Sequence, residues 1–404
     1  MKDETMHALP PQEAADRVRR LQAWMQKDAV DAVFIFQNTD LYYFSGTIQR
    51  GLLTLPCSGD PVYLVNKSLE RAGRESAWKH LVALPRMDGI PEILDAEGFG
   101  PFARAGLEMD VLPTDYYFRM TRLFPETEFL DASKAIRSVR MIKSPYEIEQ
   151  IRMASRMLDS AWRCLPEWIR PGVTELEVLS ELERHLRLQG HQGILRTRGF
   201  NYEIGYGAFS AGDNACFPTS FPGSTGFKGL YPAISNTGSL RCLEAGEPLL
   251  VDIAGGYGGY LADAARTFSL GPLPQDMRQA HALLLDLNCE IESMLKPGTE
   301  CSRICNYAFE KIGKSPYTSG FMGVGDNYMK YLGHGIGLEL DEWPVLAPKS
   351  DTGLESGMVL AIEPKIFFPD RGGVGIENMY RITDTGFEKL TPFSEDIMIV
   401  DSPQ

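Results

Sequence analysis

Val251-Asp-Ile-Ala-Gly-Gly-Tyr-Gly-Gly-Tyr-Leu-Ala-Asp-Ala-Ala-Arg-Thr-Phe268 sets one aspartate on either side of a dense glycine cluster. Two strand-like runs, 247–254 and 260–269, flank the glycine-dense Gly255-Gly-Tyr-Gly-Gly259, which marks a hairpin. A turn at Tyr257-Gly258 places Asp252 directly opposite Asp263. Opposite residues of an antiparallel pair point to one face, with Cβ atoms ~5 Å apart. Two carboxylates held that close repel, and without a cation one has to stay protonated. The hairpin therefore predicts a bound cation.

The C-terminal region repeats the arrangement. Glu363, in Ala361-Ile-Glu-Pro-Lys-Ile-Phe-Phe368, and Glu377, in Gly373-Val-Gly-Ile-Glu-Asn-Met-Tyr380, fall opposite each other if the chain turns about Asp370. His334 stands between Gly333 and Gly335, where the backbone can approach an ion and an imidazole can project. Four carboxylates and one histidine carry a formal charge of −4. Two divalent ions neutralise that charge, and hard oxygen donors with one nitrogen favour Mn, Fe(II), Co or Zn. Such a pair generates hydroxide near neutral pH and clamps a tetrahedral intermediate.

In order and spacing, these five residues resemble the ligand signature of the creatinase/prolidase/methionine-aminopeptidase ("pita-bread", M24-type) metallopeptidases. The likeness includes Gly259-Tyr260 before the second aspartate, Arg266-Thr267-Phe268 after it, and Gly-His-Gly-Ile-Gly over 333–337. It covers about residues 145–395, and Arg17–Gly46 resembles the start of the family's N-terminal domain. The resemblance implies an α/β N-terminal domain over 1–140 and an α+β pita-bread catalytic domain over 141–404. It further implies a homodimer, Asp252, Asp263, His334, Glu363 and Glu377 as metal ligands, and C–N bond hydrolysis on Xaa-Pro dipeptides or aminoacyl-prolines.

Three positions depart from the peptidase pattern. Ser235 stands where these enzymes carry a histidine, 17 residues before the first aspartate. Asp341, in Leu340-Asp-Glu-Trp-Pro344, replaces a second histidine, and Gly375 replaces an arginine. General acid–base groups contribute ~10²–10⁴-fold, so their replacement alters how protons move. Asp341 is an anion, a poor partner for an oxyanion and a good base. It is the candidate catalytic residue, with Ser235 and Tyr257 as candidate substrate-binding residues. The alternative is a family member turned to a small non-peptide substrate, in the manner of the family's dimethylsulfoniopropionate lyase, with Asp341 as base. A metal-free, creatinase-like enzyme is a third class, set against a carboxylate set that is whole here.

The remainder of the chain fits an ordinary soluble enzyme of two or three domains. It has 404 residues, 44% hydrophobic and 23% charged, with a net charge of −14. A surface that acidic repels phosphate backbones and anionic lipids, so nucleic acid and membrane are excluded as partners and a small molecule or short peptide is expected. The N-terminal residues show no secretory h-region, and seven cysteines suggest mostly buried thiols in a reducing cytoplasm. Helices are expected over 12–30, 69–78, 145–165, 175–189, 274–294 and 301–312, and Ser144-Pro-Tyr-Glu147 marks the domain boundary. Leu41–Phe44, Gly51–Leu55 and Pro61–Val65 read as strands, as do 358–368 and 375–383. The Gly/Ser/Pro-rich segment 201–239 reads as irregular, with Phe217, Phe221, Phe227 and Tyr231 lining the pocket.

Overall fold

Ser144 and Glu147 form a full capping box. The serine hydroxyl accepts from the Glu147 amide, and the glutamate carboxylate accepts from the Ser144 amide. With Pro145 in the first turn, this opens the helix Pro145–Trp168. The computed structural model describes residues 8–234 and 237–401. Just before this helix the chain divides into two units, Met1–Arg140 and Met141–Gln404.

The first unit is α/β. Its mixed sheet runs in the order Leu81–Ala83, Val62–Val65, Gly51–Pro56, Ala32–Ile35, Arg104–Leu107, Glu128–Asp131. Ala32–Ile35 is buried throughout, as its apolar run requires of a central strand. Leu41–Phe44, expected as a strand, lies inside the helix Asn38–Ser45. The Gln37 side chain accepts from the Asp40 amide at 2.9 Å, and Gly46 closes the helix at φ +83°. Caps at both ends outweigh the β-preference of Tyr-Tyr-Phe.

The hairpin lies at the centre of the second unit. Its strands, Pro248–Tyr257 and Tyr260–Leu270, sit between Met398–Val400 and Gly207–Ala211 in a four-stranded sheet. The helix Pro145–Trp168 packs on one face of the hairpin. A Cβ at Gly255 would lie 2.3 Å from the Ala154 carbonyl oxygen, so glycine permits the contact. Asp252 alternates with Ile253 and Gly255, and so faces the other way.

A five-stranded sheet runs Glu342–Leu346, Gly333–Gly335, Val359–Ile362, Asn378–Ile382, Phe387–Lys389. The long strands expected over 358–368 and 375–383 are each broken in two. Pro364 has no amide for the ladder, and beyond it Lys365–Phe368 pairs separately with Gly372–Gly375. Segment 201–239 is largely irregular but contains the strand Gly207–Ala211. The buried Glu175 carboxylate anchors it by accepting from the Ala211 and Ser239 amides at 2.6 and 2.8 Å and from the Asn214 amide group.

Helices Gln275–Glu292 and Cys301–Gly313 bury Met277, Ala280, Leu284, Leu287 and Ile291, and Cys301, Ile304, Cys305, Ala308 and Ile312, beside Leu360, Ile362 and Tyr380. Burial pushes the Cys301 thiol up to about 11 and that of Cys305 to about 12. The expectation that most thiols are buried is corrected: Cys242 and Cys289 are exposed, and Cys57, Cys164 and Cys216 are half-buried. Among the described residues no helix is long and apolar enough to cross a membrane.

His281, on the first of these helices, is buried and its Nε2 has no hydrogen-bond partner. Burial holds its pKa down to about 4. The folded value lies below the unfolded one, so the unfolded chain binds more protons below pH 6.5 and stability falls as pH drops from there toward 4. His281→Leu is therefore expected to remove about 2 kcal/mol of the stability difference between pH 7 and pH 5. Urea unfolding of both proteins at the two pH values checks this; parallel losses would contradict it.

Candidate metal centre

The hairpin turns at Gly258-Gly259, with φ +59° and +88°, and Tyr257 pairs with Tyr260. These two positive values make a primed two-residue turn, for which glycines are suited. Asp252 is consequently opposite Ala265, and Asp263 opposite Ala254. The expected direct pairing of the aspartates is thus corrected by two residues. A two-residue slip preserves the face, and both carboxylates line one cavity.

Glu363 and Glu377 stand in register across the breaks of their strands. Ile362 pairs with Asn378 on one side and Lys365 with Gly375 on the other. At the break each backbone turns to a different neighbour: the Glu363 amide donates to the Leu332 carbonyl and the Glu377 amide to that of Ala265, both at 3.0 Å. Two residues of the hairpin secure this junction. Arg266 donates to the Glu377 carbonyl at 2.7 Å, while Thr267 Oγ1 donates to the Gly375 carbonyl and accepts from its amide.

His334 lies on the short strand Gly333–Gly335 between two neighbours. A Cβ at Gly333 or Gly335 would sit 2.1 Å from the carbonyl oxygen of Ala361 or Trp343 respectively. In both cases the atom met is backbone, so neither contact can yield cheaply. Gly335→Ala is expected to cost about 2 kcal/mol or more by overpacking and to weaken metal affinity by shifting His334. Gly313→Ala, with open space around it, should do neither. Chemical denaturation and metal titration of the two variants would show it.

The side chains converge in two groups, Asp263–His334–Glu377 and Asp252–Glu363–Glu377, each with donor atoms within 4.8 Å of one another. Glu377 belongs to both. Burial, then the neighbouring carboxylates, push Asp263 and Glu377 well above the usual carboxylate range. For His334, burial opposes the charged ring, but Asp341, Glu363 and Asp263 outweigh it and the pKa rises. Its Nδ1 lies 3.0 Å from the Gly335 carbonyl oxygen, an orientation that leaves Nε2 as the free ligand nitrogen.

Glu377 Oε1 is buried with no hydrogen-bond partner. An orphaned carboxylate oxygen beside a second carboxylate and an imidazole fits a divalent ion. The other group differs. Lys365 Nζ lies 2.5 Å from Glu363 Oε2, 2.8 Å from Asp252 Oδ2 and 3.7 Å from Glu377 Oε2. That group already holds a cation of the chain's own, and a second divalent ion does not fit beside it.

Asp341 lines the same cavity, its side chain 42% exposed and Oδ1 3.6 Å from His334 Nδ1. Tyr202, Phe221 and Tyr331 complete the walls. Burial, then Asp341, drive the Tyr202 phenol far up, which keeps it a neutral donor. Of the four aromatics expected to line the pocket, only Phe221 does so: Phe217 and Tyr231 are exposed, and Phe227 is buried among its neighbours. Tyr257, at the hairpin turn, is not among the cavity-lining residues, and Ser235 falls outside the described residues. Sequence reasoning missed Lys365, Tyr202 and Tyr331. The signal for Lys365 was available: two residues after Glu363 on a strand, it shares that residue's face.

A hairpin and an adjoining sheet that bring carboxylates and one imidazole to one cavity suit a metal-dependent hydrolase. Comparison with known proteins specifies the class. Residues 149–384 match metallopeptidase family M24, and residues 17–142 match the creatinase/prolidase N-terminal domain. The chain belongs to metallopeptidase family M24 and is an enzyme of its Xaa-Pro peptidase-like kind. It is 28% identical to the Xaa-Pro dipeptidase of Pyrococcus furiosus, over 95% of this chain and 99% of that one. It is 27% identical to the Xaa-Pro dipeptidase of Lactobacillus delbrueckii subsp. lactis, over 94% and 98%. The crystal structure of the prolidase from Pyrococcus horikoshii OT3 superposes with a TM-score of 0.79 at 25% identity, covering 95% of this chain and all of the other.

Proposed function

We propose that this protein hydrolyses the bond between an amino acid and proline in dipeptides or other short peptides, using a divalent ion held by Asp263, His334 and Glu377. The convergence of these side chains on one cavity, with an orphaned Glu377 oxygen at its floor, carries the reading. Mn, Fe(II), Co and Zn all suit that donor set. When bound, the ion supplies Lewis-acid polarisation of the scissile carbonyl and activation of water.

The chain's own groups do the rest. Asp341, at the cavity mouth beside His334, accepts a proton from the attacking water as its oxygen bonds to the carbonyl carbon, and delivers that proton to the nitrogen as the C–N bond breaks. Tyr202, held neutral, donates a hydrogen bond to the oxygen on which charge develops. These two take over work that histidines do in the peptidases this chain resembles. A lyase acting on a small non-peptide substrate with Asp341 as base is not favoured, because the relatives named above are dipeptidases. A cytoplasmic homodimer goes with the proposal, and light scattering should give twice the 45.0 kDa chain mass.

Incubation of metal-reconstituted protein with Xaa-Pro dipeptides, a sulfonium compound and a cyclic amidine tests the substrate. Release of proline is the expected result. Turnover of either of the other compounds with none of the dipeptides would overturn it.

A further inference from the structure

We propose that the ammonium of Lys365 is the second cation of this centre, so that the chain binds one divalent ion where its acidic side chains would otherwise take two. This rests on the reading that Asp263, His334 and Glu377 hold an ion, and concerns the other group. A divalent ion shared by Asp252, Glu363 and Glu377 would lie roughly 2.0–2.2 Å from their oxygens. Lys365 Nζ already sits among those oxygens, 2.5 Å from Glu363 and 2.8 Å from Asp252. The two positive charges cannot share that space.

The lysine is built in. It is 1% exposed, and its Cα pairs directly with Gly375 across the two-stranded ladder. A Cβ at Gly375 would meet Lys365 Cγ at 2.5 Å and Leu250 Cδ1 at 3.3 Å, so the missing side chain is the channel through which the lysine stem runs. Gly375 is itself fixed from both sides by Thr267. The Gly375 departure from the peptidase pattern and the buried lysine are therefore one feature: glycine on one strand admits a cation from the other. Lys365 acts on the reaction by positioning. It neutralises Asp252 and Glu363 and leaves Glu377 to serve the single ion.

Manganese titration of metal-free protein tests this, read by elemental analysis after desalting and by electron paramagnetic resonance. The expected wild-type result is one Mn(II) per chain with an isolated, uncoupled spectrum. Lys365→Met, which keeps the stem and removes the charge, should take up a second ion and show spin coupling. Lys365→Arg should remain at one. Two coupled ions in the wild type would overturn the inference while leaving the hydrolase reading intact, and would mean that Lys365 merely replaces the arginine expected at position 375. One ion in both the wild type and Lys365→Met would remove the lysine as the cause. No ion in any of the proteins would overturn the metal reading and the inference together. Should Lys365→Met fail to fold, the wild-type count still decides between one ion and two.

Discussion

Glu377→Gln is expected to lower hydrolytic activity by on the order of 10³-fold and to abolish tight metal binding, because its unpartnered carboxylate oxygen belongs to the group proposed to hold the ion. The backbone at this position does not depend on the carboxylate. Its amide donates to Ala265 and its carbonyl accepts from Arg266, so glutamine should occupy the same place in a folded protein. The sign of the stability change separates this outcome from general damage. Metal-free Glu377→Gln should melt at a higher temperature than the metal-free parent, since one of four converging carboxylates has been neutralised. Added Mn(II) should then raise the melting temperature of the parent and leave that of the variant unchanged. A variant that melts lower without metal, or still shifts with it, would show that Glu377 is a structural residue.

Asp341→Asn should reduce turnover by about 10²-fold or more with metal content unaltered, because the amide preserves shape but accepts no proton near neutral pH. The side chain is partly exposed and belongs to neither ligand group, so its loss should not disturb the ion. Asp341→His restores a group that can carry a proton and is expected to retain more proline-dipeptide cleavage than Asp341→Asn. Full activity in Asp341→Asn, measured with metal content in the same preparation, would remove this residue from the reaction.

The convergence of the candidate ligands was legible because their spacing is chemical before it is structural: each acidic residue sits a fixed step from a glycine turn or a strand break. The hairpin register was misread by two because the turn was placed at Tyr257-Gly258 rather than at Gly258-Gly259, the pair that a primed turn favours by composition. The paired positive φ values, which two glycines accept, select the second. The error was harmless since an even slip keeps the face. Leu41–Phe44 was misread because aromatic strand preference is a property of the run itself, whereas the caps that override it lie outside it, at Gln37 and Gly46. Lys365 escaped notice for a different reason. A lysine is ordinarily read as surface, and its burial depends on Gly375 ten residues away, which the same pairing about Asp370 places opposite it.

The strand breaks at Glu363 and Glu377 have a mechanical side. There the chain passes from the five-stranded sheet into the separate two-stranded ladder, and Glu377 is stitched by its amide to the edge of the hairpin. An ion held by Asp263, His334 and Glu377, as proposed above, would draw together the hairpin, the short strand of the five-stranded sheet and the seam between them, and so act as a keystone. Its loss would touch no helix directly and would slacken that seam first. Heat inactivation of this protein should accordingly run ahead of the loss of helical circular dichroism, with the interval between them closing as free metal is raised.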